Sequence, residues 1–128
     1  MIQHMARWVK ARHWPSILEF YRSISKSTRG EWVIPMLELV ENIAAADFAQ
    51  QLYPITSMHT LCISDLPEFD LEREMLRIDF DPKAGKFKLE YQETKSPLYK
   101  RWGKMCSPEQ AFPSFVRLLK LRNWCRLS

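Results

Sequence analysis

Glycine is scarce in this sequence, three residues in 128. A phosphate cradle needs several in one loop, which argues against nucleotide-binding chemistry, and no G-x-S-x-G or H-E-x-x-H occurs either. Long apolar runs are lacking too. None approaches the roughly 18 residues that cross a membrane, and the opening MIQHMARWVKARHW has no unbroken apolar stretch of the signal-peptide kind; it reads instead as a short amphipathic helix packed on the domain. Cysteine is sparse and odd in number: Cys62, Cys106 and Cys125, with no C-x-x-C pair and no histidine at zinc-finger spacing. Reduced thiols in a cytoplasmic protein account for them. Internal repeats and low-complexity linkers are also missing, so residues 1–128 read as a single domain.

What is present is material for a core. The chain is 46% hydrophobic, with five Trp and seven Phe. That is enough apolar volume to exclude disorder and to fill one sizeable interior.

Charge is divided by region. Residues 1–30 carry six basic and one acidic side chain, and residues 94–128 carry eight and one. Residues 31–93 carry five basic and thirteen acidic, so the sequence runs +5, −8, +7 beneath its overall +4. Such asymmetry speaks to partners and steering, or to segments that neutralise one another on folding.

Periodicity places the elements. Pro15 suits a first helical turn, and Ile17, Phe20 or Tyr21, and Ile24 follow at helical spacing until Ser27-Thr28-Arg29-Gly30 stops the run. A second helix from Pro35 presents Met36, Val40, Ile43 and Ala44, with Pro54 closing it. MHTLCIS, from Met58 to Ser64, alternates as a strand. The acidic DLPEFDLERE follows, and then two strands in MLRIDFDPKAGKFKLEYQE. Ser107-Pro108-Glu109-Gln110 is a helix start with capping-box spacing, while Pro113 predicts a kink or a fresh start. Trp124 anchors the end of the chain. The expected fold is therefore α+β: N-terminal helices, a three-stranded antiparallel β-meander, and a C-terminal helix packed on one face of the sheet.

Asp79 and Asp81 form a D-x-D pair that raises metal or acid–base chemistry. Setting Pro82-Lys83-Ala84-Gly85 as the loop pairs Asp81 with Lys86, Phe80 with Phe87, Asp79 with Lys88, Ile78 with Leu89, Arg77 with Glu90 and Leu76 with Tyr91. Apolar residues then meet apolar residues, and each charge meets its opposite. Such pairs stabilise a sheet by about 0.2–1 kcal/mol each, and a one-residue slip would scramble all of them. Lysines opposite both aspartates suit a structural hairpin, not a divalent cation site. His59 and Cys62, three apart on a strand, point to opposite faces and make no nucleophile–base pair. No catalytic residue, metal-ligand set or cofactor site is expected, and the chain reads as non-enzymatic.

Two surfaces remain as candidates. The acidic loop sets Asp65, Glu68, Asp70, Glu72 and Glu74 around Phe69 and Leu71. Carboxylates there would steer a basic protein, with Phe69 and Leu71 as the buried anchor. The alternative is a nucleic-acid-binding or regulatory role for the 95–126 segment. There Tyr99, Lys100, Arg101, Trp102 and Lys104 interleave phosphate-binding and base-stacking groups.

Helices, then LRIDFDPKAGKFKLEYQE, then WGKMCSPEQAFPSFVRLLKLRNW resembles, over about residues 58–124, the small cytoplasmic immunity proteins encoded beside bacterial polymorphic toxins. The resemblance implies a protein partner, one cognate toxin domain that is bound and blocked, and it carries no site residues. A uniformly acidic composition, common among inhibitors of nucleases, is not found here.

Overall fold

Residues 8–70, 74–92 and 101–124 are described by the computed structural model, the backbone alone at 8, 9, 68–70, 101 and 102. In chain order the elements are β1 (Trp8–Lys10), α1 (Trp14–Ser25), α2 (Ile34–Ala45), β2 (Tyr53–Ser57) and β3 (Thr60–Ser64). Then come β4 (Glu68–Asp70), β5 (Met75–Asp81), β6 (Lys86–Gln92), β7 (Arg101–Cys106) and α3 (Pro108–Arg122).

The α+β class holds, but the sheet has five strands, in the order β2-β3-β5-β6-β7, with every pair antiparallel. The expected three are β3, β5 and β6. Both additions lie at the edges, where sequence signals mislead. β2 contains Pro54, which breaks a central strand but is tolerated at an edge. The anticipated end of α2 at Pro54 is likewise displaced: α2 stops at Ala45, and a 3-10 turn, Asp47–Gln51, leads into β2. β7 is the RWGKMC run, whose basic and aromatic residues obscure its alternation. Met58 and His59 form the β2–β3 turn, so the strand read from Met58 starts at Thr60.

The hairpin register is the one the sequence specified, from Asp81 opposite Lys86 to Leu76 opposite Tyr91. The aspartates have structural employment. The Asp79 carboxylate accepts from the Thr60 hydroxyl on the neighbouring strand. Asp81 Oδ1 accepts the Lys83 and Ala84 amides at 2.9 and 3.3 Å, and the Asp81 carbonyl takes the Gly85 amide at 2.8 Å. Gly85 holds φ +64°, as the turn requires. Lys88 pairs with Glu90 along its own strand at 3.3 Å.

All three helices cover one face of the sheet. Ile17 and Tyr21 of α1, Met36, Leu39, Val40 and Ile43 of α2, and Phe115 and Leu119 of α3 are buried with Leu61, Ile63, Leu76, Ile78, Phe87 and Leu89. α3 runs unbroken through Pro113, where a kink or restart was expected. The bond lost there is to the carbonyl of Glu109, an exposed residue that water can reach. Burying Phe115, Leu118 and Leu119 contributes about 1.5–3 kcal/mol each, together more than the roughly 3 kcal/mol of an interior proline. Beyond Arg122, Asn123 turns left-handed at φ +54°. The Trp124 amide then reaches Leu119 O and the Asn123 amide reaches Lys120 O, which caps the last turn.

The start of the chain departs from expectation as well. Instead of an amphipathic helix, residues 8–10 form β1, which pairs antiparallel with β4: Trp8 opposite Asp70, Val9 opposite Phe69, Lys10 opposite Glu68. The basic beginning and the acidic middle are thus joined backbone to backbone. Two further bonds pin the arm, Ala11 N–H to Pro67 O at 2.9 Å and Arg12 N–H to Pro54 O at 2.8 Å. Under it lies a second apolar cluster of Ile55, Cys62 and Met75, on the side of the sheet away from the helices. No helix among the described residues is long and apolar enough to cross a membrane.

Candidate protein-binding face

α1 lies alongside β2. At its start the Trp14 indole N–H donates to Ala49 O at 3.0 Å and Leu52 O at 3.3 Å. Two turns on, the Tyr21 hydroxyl donates to His59 O at 3.0 Å. Burial pushes the Tyr21 hydroxyl above its ordinary range, so it stays protonated and remains a donor. These anchors fix the β2–β3 turn against the helix.

At that turn Met58 is 87% exposed and held at φ +56°. The first position of a two-residue hairpin turn favours Gly or Asn, because a side chain there costs about 1–2 kcal/mol. His59 beside it packs among aromatic rings, with its centroid 5.0 Å from Trp32 and 6.4 Å from Phe20. The exposed Met58 side chain thus adjoins, through His59, a cluster of three half-buried or exposed rings.

Phe20 also lines a shallow concavity of about 530 Å3 with Arg12, Ser16, Glu19, Ile24 and Ser27, following α1 towards its start. Arg12 is shared with a second concavity of about 500 Å3. This one lies among Lys10, His13, Tyr53, Leu66 and Pro67, where the arm meets β2 and the β3–β4 loop. Leu66 is 47% exposed there. His13 is the residue that opens α1; its side chain makes no capping bond, and no acidic residue occupies the first turn. The face thus runs from Met58 through Phe20 to Arg12 and Tyr53, apolar at one end and cationic at the other.

The residues anticipated from sequence are dispersed relative to it. Asp65 is exposed at the start of the β3–β4 loop, next to Leu66. Glu68, Phe69 and Asp70 are in β4. Glu74 is half-buried and accepts the Trp124 indole N–H at 2.7 Å, so it serves the fold. Leu71 and Glu72 lie outside the described residues, as do Tyr99 and Lys100. Arg101, Trp102 and Lys104 fall in β7, whose consecutive positions alternate between faces; Lys104 stands opposite Leu89. Among the described residues no three His, Cys, Asp or Glu side chains converge as metal ligands.

Sequence reasoning missed Met58 and its surroundings because it placed them inside a strand. A signal was available: a short polar–Met–His–polar step between two alternating runs is a hairpin turn once YPITS is accepted as an edge strand. Comparison with known protein families, curated proteins and solved structures found no match to this chain.

Proposed function

We propose that this chain is a protein-binding module that acts by stoichiometric contact, and that its contact surface is the face built by α1 and the β2–β3 turn. Met58 carries the reading. A large apolar side chain is held in a backbone conformation that opposes it, almost wholly in water, next to a histidine that packs among aromatic rings. Folding gains nothing from that arrangement, whereas a partner that buries Met58, His59 and Phe20 gains an anchor of the kind that dominates interfaces. Asp65 and Leu66, at the far end of the same face, extend it towards the acidic loop. The layout resemblance to immunity proteins supports a narrower form of the proposal, in which the partner is a toxin domain.

The test compares the native chain with Met58→Asp as bait in extract from its own source. Asp tolerates a left-handed position, so the fold survives, which a melting curve checks. A true partner retained by the native chain should bind the variant at least about 30-fold more weakly, the hot-spot range. Equal retention of every bound protein by both baits removes this face as the contact surface.

A further inference from the structure

We infer that the α1 groove receives an extended segment of the partner that carries an acidic residue at one end and apolar residues along its length. This rests on the protein-binding reading and specifies the chemistry of what binds. The two concavities share Arg12 in their linings, which makes them neighbours at that side chain. From Ser16 to Ile24 the helix rises about 12 Å, which an extended chain spans in about four residues.

The chemistry of the groove is graded. At the Arg12 end, Lys10, Arg12 and His13 are exposed, and the uncapped start of α1 adds its own positive potential. Lys10 lies opposite Glu68 in the β1–β4 register, and Arg12, beyond the end of that register, is the cation that lines both concavities. Tyr53, Leu66 and Pro67 supply apolar walls there. Along α1, Phe20 and Ile24 form an apolar floor. The Ser16 and Ser27 hydroxyls are already bonded to the carbonyls of His13 and Ile24 and ask nothing of a ligand. Glu19 is the acidic member of the groove and sets its polarity: a carboxylate is welcome beside Arg12 and disfavoured one helical turn or more further on. A nucleic acid, with charge at every residue, would place phosphates against Glu19 and the apolar floor.

The experiment uses the full chain, isotope-labelled, and two capped ten-residue peptides sharing the same Leu and Phe, one with two Glu at one end and the other with two Lys. The acidic peptide should move the amide signals of Arg12, Ser16, Phe20 and Ile24 with a Kd of about 1 mM or tighter. Arg12→Glu, an exposed substitution that leaves the Arg12 amide free to bond Pro54, should weaken it about fivefold and favour the Lys peptide. Equal binding of both peptides, no shift at these residues, or a single-stranded oligonucleotide moving the same signals more tightly than the acidic peptide would each overturn the inference. A partner that is lost with Met58→Asp but indifferent to Arg12→Glu sinks the groove alone. Indifference to Met58→Asp sinks the binding face itself.

Discussion

The indole N–H of Trp124 donates to the carboxylate of Glu74 at 2.7 Å, joining the end of α3 to the start of β5 across fifty residues. Trp124 packs edge-on against Tyr91 at 6.1 Å, and Arg122 lies 3.9 Å over the same tyrosine ring. A hydrogen bond to a charged acceptor contributes about 1.5–3 kcal/mol where it is shielded from water. Glu74→Ala should therefore lower stability by about 1–2 kcal/mol. A double-mutant cycle in urea with Trp124→Phe isolates the pair; a coupling energy near zero would make Glu74 a surface carboxylate after all.

Glycines 30 and 85 should differ in what an alanine costs, and for different reasons. Gly85 has open space around it but a left-handed φ, so Gly85→Ala should cost about 1 kcal/mol. Gly30 has an ordinary φ of −90°, yet a β-carbon there would overlap the Ile24 carbonyl oxygen and crowd Ser27 Oγ. The left-handed residue ending that segment is Arg29, at φ +61°. Gly30→Ala should cost about 3 kcal/mol or more, because backbone must move. Denaturant midpoints of the two variants give the ranking, and Gly30→Ala being the milder would refute it.

Alkaline solution should destabilise the protein. Burial pushes the Cys62 thiol up to about 11 from an ordinary 9.0, with Arg77 opposing the rise and Asp79 adding to it. Tyr21 is raised in the same sense. Both groups are neutral in the fold and ionise more readily once unfolded. The Cys62 contribution is therefore complete below pH 9 and is lost as pH climbs through 11, while that of Tyr21 begins to be lost only above pH 10. For Cys62 alone this amounts to about 2–3 kcal/mol. Melting temperatures from pH 7 to 11 should fall across that window, with a shallower slope for Cys62→Ala. A flat profile for the native chain would contradict it.

On the proposed reading, Met58 sets stability against binding. Met58→Gly relieves the left-handed side chain and should raise stability by about 1 kcal/mol while removing the anchor. A variant that melts lower than the native chain would mean that Met58 serves the fold.

How much of this was legible beforehand depended on whether the pattern was local. The β5–β6 register could be read because six cross-strand pairs, apolar on one face and charged on the other, all demand the same alignment. Ile17 and Tyr21, then Met36, Val40 and Ile43, declared their buried faces by spacing alone. β2 and β7 were hidden by residues that edge strands accept and central strands do not, Pro54 in one and Gly103 with its basic neighbours in the other. The acidic loop looked unpartnered because its partners are remote: β1 lies sixty residues away and Trp124 fifty. Long-range pairing leaves no period to detect, and the binding face inherits that difficulty, since it draws on α1, the arm and two turns.

The bond from the Arg12 amide to Pro54 has one more implication. The two-residue turn makes Ser57 and Thr60 the closing hydrogen-bonded pair, so Pro54 and Thr56 direct their backbone groups outward from β2. Pro54 has no N–H to offer, and its carbonyl is already taken by the arm. At Pro54 the outer edge of β2 thus offers a foreign strand neither donor nor free acceptor.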